Sequence, residues 1–290
     1  MKTVYRNGGL ALAFFVLTLV FSILVAARMQ MAWGLYGVAA TELAILGIAL
    51  LGALTLRRPL SHIFRFRWPR FKQVRGSFFV YCGSYAVTMA VSFLSLYIFP
   101  EMQDLSRALS DVFTSQTFFV SAVIVALMPA FCEEFLHRGF LLTALSDIKS
   151  TAARVFLMGI LFGLFHLDPY RFLPTMILGM SLTYIMIKTD TLLLPISFHL
   201  LNNLFGVSIA FGYQEQPPSE ILAEGFVLTL PMATGYIFFF LGIAVLFLPF
   251  GFRALNEVPK KVGRVKTVIT VLLGIALSIG GLAIAAASLS

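Results

Sequence analysis

Charge is scarce in this chain: Asp, Glu, Lys and Arg make up only 12% of its 290 residues. A water-soluble chain carries about a quarter, so an ordinary water-facing surface is excluded. Cysteine is nearly absent. Cys82 and Cys132 both lie inside apolar runs, which leaves no disulfide framework and no cysteine-based metal spacing. The nucleophile pattern Gly-x-Ser-x-Gly is missing, as is His-Glu-x-x-His, the common zinc-protease helix. The longest stretch between apolar runs, residues 57–75, is too short for a soluble domain, and no repeat or low-complexity segment stands out. Any chemistry must come from membrane helices and their ends.

What fills the chain instead is apolar sequence, 59% of it, in nine segments. They fall at about 9–27, 31–56, 76–99, 115–145, 152–167, 170–187, 191–211, 226–250 and 267–288. Each is near the ~20 residues needed to cross a bilayer, allowing for tilt and short helices. The fold expected is all-α, a polytopic transmembrane helical bundle of about 8–9 membrane helices. Three regions follow: 1–112 with N-terminal helices and a basic loop, 113–210 as the core helices, and 211–290 with C-terminal helices.

The formal charge of +8 would suit nucleic acid, but its distribution argues for topology. With the N-terminus cytoplasmic, all of the 21 Lys and Arg except Arg28, Arg107 and Arg171 fall on the cytoplasmic side. The opposite loops carry Glu101, Asp104, Asp111, Asp168, Glu215, Glu220 and Glu224. That bias follows the positive-inside rule and predicts membrane lipids, not nucleic acid, as the surroundings. Lys2 and Arg6 ahead of the first apolar run resemble a signal peptide. The length of that run and the lack of a small-x-small site favour an uncleaved anchor.

Several local features are open to two readings. Phe64 to Lys72 alternates aromatic and basic residues, which suits either an anionic-lipid patch or an interfacial belt with inside charge; the belt is preferred. Residues 101–113 place Leu105, Ala108, Leu109 and Val112 at helical spacing, predicting a short interfacial helix. Gln214 to Glu220 reads as a polar loop bent by prolines. Glu42, a lone acid in the second segment, is expected to be structural. Gly159 and Gly163 share a helix face just before His166 and predict a tight packing seam.

The strongest signal is a set of polar residues at membrane depth. Glu133, Glu134 and Arg138 lie in the fourth segment, Phe162 and His166 in the fifth, and His199 and Asn203 in the seventh. An ionisable side chain there costs at least ~2.5–3.5 kcal/mol on insertion scales, so it persists where it is paired or working. Residues four apart share a helix face, so Glu134 can pair with Arg138, and His199 points the same way as Asn203. Glu133 is turned by about 100° from Glu134 and faces a different partner. At about 1.5 Å per residue, Glu133 and His166 come out about 18 Å from the expected cytoplasmic ends and His199 about 12 Å. The spacing therefore permits one shared cavity. Pro129 and Pro195 each precede a site residue by four, which either bends the helix at a cavity or is ordinary membrane-helix proline.

A glutamate and a histidine around a water molecule can take its proton. A second histidine and an asparagine amide can donate hydrogen bonds to a developing oxyanion. These are parts for hydrolysing an amide without a covalent intermediate. A thiol mechanism at Cys132 is the weaker alternative, since Cys132 reads as core packing. His137, one turn from Glu133, either tunes that carboxylate or is a bystander, the bystander role being preferred.

At these residues the chain resembles the CAAX prenyl protease and bacteriocin-processing superfamily of intramembrane endopeptidases, which includes the Ras-converting CAAX endopeptidase and the bacterial Abi proteins. Glu-Glu-x-x-x-Arg is matched by Glu133, Glu134 and Arg138, with Gly139 following. Phe-x-x-x-His is matched by Phe162 and His166, and His-x-x-x-Asn by His199 and Asn203. The match spans about 117–206. The resemblance implies that Glu133 activates water with help from His166, that His199 and Asn203 stabilise the oxyanion, and that Glu134, Arg138 and Phe162 support them. It also implies a peptide or protein substrate, lipidated or membrane-embedded. No cofactor is required by the favoured mechanism. Zinc is the alternative, since two histidines and a carboxylate can hold it.

The expectation is an intramembrane endopeptidase cutting near the cytoplasmic face, in a bacterial plasma membrane as judged from the compact loops. The alternative is a non-catalytic membrane immunity or scaffold protein of the same fold. A transporter would need paired broken helices in two halves of a repeat, and none is legible.

Overall fold

Inside hydrocarbon a backbone can satisfy its polar groups only within itself, so long apolar runs must become helices. The structure, a computed structural model, describes residues 2–214, 228–256 and 263–288, and among these there is no strand. Eight helices are long and apolar enough to cross a membrane. They are α1 (Asn7–Trp33), α2 (Leu35–Thr55), α4 (Phe71–Ile98), α6 (Phe118–Ala144), α8 (Phe172–Thr189), α9 (Leu193–Gly212), α10 (Leu230–Leu255) and α11 (Arg264–Ala287). Three shorter helices complete the order: α3 (Leu60–Ile63), α5 (Met102–Phe113) and α7 (Thr151–Phe165). The chain is an all-α, polytopic membrane bundle.

The expected fifth span is α7, which has 15 residues and rises about 22 Å at ~1.5 Å per residue, short of a ~30 Å hydrocarbon core. It stops at Phe165 because Leu167 takes a left-handed backbone (φ 52°) that no helix can continue through. The predicted helix over 101–113 is present as α5. The polar stretch 215–220 and Glu224 lie outside the described residues.

The chain divides into two compact units, with the divisions falling inside α5, α7 and α8. The first comprises residues 1–68, 106–161 and 182–217. In it α2 packs closely on α6, because Gly52 leaves room for the Phe140 ring; a Cβ there would stand 2.6 Å from it. Phe14 of α1 meets the same ring edge-on at 5.2 Å. Between α3 and Trp68 the chain forms an extended strap. Leu192 N–H donates to the Arg65 carbonyl at 2.8 Å, and the Thr191 hydroxyl donates to the Arg67 carbonyl at 2.7 Å. Asp190 ends α8 in the left-handed region (φ 55°), which a short polar side chain tolerates. Its carboxylate accepts from Arg65 at 2.6 Å and lies 2.7 Å from Arg67 Nη1.

The second unit comprises residues 69–105, 162–181 and 218–290. Here α10 packs against both α4 and α11 over small residues, the usual device where lipid removes any hydrophobic drive between helices. A Cβ at Gly235 would stand 2.6 Å from the Ala285 backbone nitrogen, and one at Gly251 2.6 Å from that of Val80. The same unit holds one glycine of the expected pair, Gly163, which lies against Phe172; Gly179, outside that pair, lies against Phe162.

Candidate active site

The helix that carries the acid pair is not regular. Within α6, Ala122–Leu127 and Phe135–Leu141 are π-helical, and the α-helical turn Met128–Glu134 sits between them. Pro129 accounts for the first widening: it has no N–H to give, and its ring would clash with the carbonyl of Val125 in a tight α-turn. Single π turns inside helices often accompany functional residues. Pro195 causes no such break, because it falls in the first turn of α9, where backbone N–H groups lack helical acceptors anyway.

Between and beside these widened turns lies a buried polar quartet, all of it in the first unit. Glu134 and Arg138 are 0% exposed, His199 2% and Glu133 6%. Arg138 Nη1 donates to Glu134 Oε1 at 2.6 Å, as the i,i+4 spacing predicts. The His199 ring, arriving on α9, donates from Nδ1 to the same oxygen at 2.9 Å. Its Nε2 then stands 4.0 Å from Glu133 Oε2, a gap wider than a hydrogen bond. Glu133 Oε2 has no hydrogen-bond partner among the described residues. A buried carboxylate oxygen without a hydrogen-bond partner costs stability, so its retention calls for a use.

The arrangement gives Glu134 more to do than the ion pair expected from spacing. It holds His199 in one ring orientation and fixes the proton on Nδ1, as the second partner of a working histidine commonly does. No pattern within one helix carries that contact, since it joins two spans. Asn203 lies one turn beyond His199 on α9 and is half-buried; its Oδ1 accepts from Asn202 at 3.1 Å, which directs its own amide group as a donor.

Phe162 and His166 belong to the second unit. Phe162 is fully buried, and its carbonyl accepts from His166 Nδ1 at 2.8 Å while the two rings meet at 4.8 Å. A carbonyl can only accept, so Nδ1 of His166 carries the proton and, in the neutral ring, Nε2 carries the lone pair. The Phe-x-x-x-His spacing is therefore an orienting device. His137 behaves in the same way: its Nδ1 donates to the backbone carbonyl of Glu133 at 2.9 Å, at the turn where the helix widens.

The glycine after Arg138 has a steric reason. A Cβ on Gly139 would stand 2.5 Å from the Phe64 ring, which the strap lays against α6. Phe64 stacks on Phe135 at 4.5 Å, and Phe66 reaches Phe131 and Phe135. The first half of the aromatic–basic loop is thus packed onto the site helix, while Trp68 at its end is 93% exposed.

Glu42 is a neighbour that spacing could not supply. It is 6% exposed on α2, which packs against the Met128–Glu134 turn that carries Glu133. Its Oε2 has no hydrogen-bond partner among the described residues. Replacing a buried polar group of this kind with an apolar one of similar size is neutral to stabilising. Glu42→Leu is therefore expected to raise the thermal midpoint in detergent, by about 1–3 kcal/mol of stability; a lowered midpoint would show a hidden favourable contact.

Among the described residues no three His, Cys, Asp or Glu side chains gather where a metal ion could sit. Cys132 is buried, one residue before Glu133. No curated protein and no solved structure matches the chain. Residues 115–205, which carry the quartet and all three spaced motifs, match a protein-family model, that of the Type II CAAX prenyl endopeptidase Rce1-like family.

Proposed function

We propose that this chain is an intramembrane endopeptidase that hydrolyses a peptide bond near the cytoplasmic face of the membrane, with its N-terminus on that side. The observation that carries the reading is the buried Glu133 carboxylate, whose Oε2 has no hydrogen-bond partner among the described residues and faces a histidine that Glu134 and Arg138 hold in place, within the segment that matches the CAAX endopeptidase family.

In this mechanism Glu133 takes a proton from water as the oxygen attacks the scissile carbonyl carbon. The C=O π electrons move onto oxygen, and the resulting oxyanion accepts hydrogen bonds from His199 Nε2–H and the Asn203 amide. With Nδ1 already donating to Glu134, Nε2 is a donor only in the imidazolium form. When the C–N bond breaks, the proton held by Glu133 passes to the leaving amine. The role of His166 as assistant to Glu133 rests on its motif and its lone pair on Nε2.

Comparing the termini of membrane proteins between wild-type cells and Glu133→Gln cells tests the function and finds the substrate together. New termini that vanish in the variant support proteolysis. An unchanged set with the variant normally inserted supports a scaffold or immunity protein instead. Cleavage by the purified protein is expected to survive exhaustive chelation, and its loss with recovery on added zinc would replace the water-and-glutamate scheme by a metal one.

A further inference from the structure

A second polar concavity lies in the first unit, lined by residues that the proposed hydrolysis does not use. It encloses about 200 Å³ and is lined by Arg58, His62, Arg65 and Arg154 together with the hydroxyls of Thr143 and Ser146. Asp190 is the one acid in the lining, and its two oxygens are already engaged by Arg65 and Arg67. Three guanidinium groups therefore face a small volume with no free counter-charge in the lining. Donor capacity is also left over: Arg65 Nε, Arg154 Nε and Thr143 Oγ1 are buried without hydrogen-bond partners among the described residues. Buried donors are normally satisfied, so the lining is built for an acceptor that the protein itself does not provide.

The geometry points to a phosphate group as that acceptor, and to an anionic phospholipid headgroup as its source. Guanidinium forks match phosphate oxygens two at a time, and several of them tolerate a charge that one lysine would leave exposed. The lining comes from the C-terminal ends of α2, α6 and α8, from α3, and from the start of α7. These are span ends on the side where the Lys and Arg of the chain collect, which is the level of lipid headgroups. Trp68, three residues after Arg65 on the same strap and 93% exposed, suits that level too. A lipid held here would brace the strap whose Phe64 packs on Gly139, and so steady the helix that carries Glu133.

Native mass spectrometry of the full-length protein, with phosphatidylglycerol or phosphatidylcholine added to the detergent, reads the site without any assay of activity. The wild type is expected to retain phosphatidylglycerol in preference. Arg58→Gln with Arg154→Gln is expected to lower that preference by about 10- to 30-fold, as for two lost cation–phosphate contacts. Arg70→Gln, which removes one charge outside the lining, should leave it unchanged. Equal retention of the two lipids by the wild type, or an undiminished preference in the double variant, would overturn the proposal. So would an equal loss in Arg70→Gln, or displacement by inorganic phosphate as complete as by the lipid.

Discussion

Arg138→Leu is expected to cost about 3–5 kcal/mol of stability, the usual consequence of leaving a buried charge without its partner. Arg138 is wholly buried, and its 2.6 Å bond to Glu134 Oε1 is the strongest compensation that carboxylate has. Without the guanidinium, Glu134 keeps only its bond to His199 beside a second buried acid, Glu133. Since the entire stability of a domain is about 5–15 kcal/mol, the variant should fall well below the wild type in thermal midpoint and be poorly recovered in detergent. Replacing both partners removes the uncompensated charge along with the pair. Arg138→Leu with Glu134→Leu should therefore regain part of the loss, less what His199 forfeits with its acceptor. A single variant as stable as wild type would mean that the quartet is hydrated and open, contrary to the burial described.

What was legible in the sequence, and what was not, follows the reach of a single helix. Glu134 and Arg138 are four apart, so their pairing follows from helical geometry alone. Phe162 and His166 likewise resolve into a carbonyl and the ring it orients. The bond from Glu134 to His199 joins two spans, and two π-helical turns in α6 shift the faces that an ideal ~100° step predicts. No periodicity argument could have found it. Glu42 was legible as an oddity but not as a neighbour of Glu133, because a helix pattern does not say which helix lies beside it. Gly139 was visible as part of a motif, whereas its cause, the Phe64 ring, is brought back by a strap 75 residues earlier, as the pair Phe64 and Gly139 shows. Apolar length predicted the bundle well, including a short helix at α7, where a backbone turn at Leu167 ends the helix within apolar sequence. The glycine contacts of α10 with α4 and α11 went unread because glycine in an apolar run carries no address.

Glu133→Gln carries the larger consequence for activity. The amide is close in size to the carboxylate, keeps the fold of α6 and leaves the Arg138–Glu134–His199 chain of bonds untouched, yet it cannot take a proton from water. Loss of a general base costs typically about 10²–10⁴-fold in rate. The effect should fall on turnover, because in the proposed mechanism Glu133 meets the reacting water and not the bulk of the substrate. The decisive measurement is the single-turnover cleavage rate of purified, reconstituted Glu133→Gln on a peptide identified from the termini comparison, beside a thermal midpoint on the same sample. The account predicts a rate at least a hundredfold below wild type with the midpoint preserved, on the order expected for a lost base. Cleavage at the wild-type rate by a folded Glu133→Gln protein would contradict it.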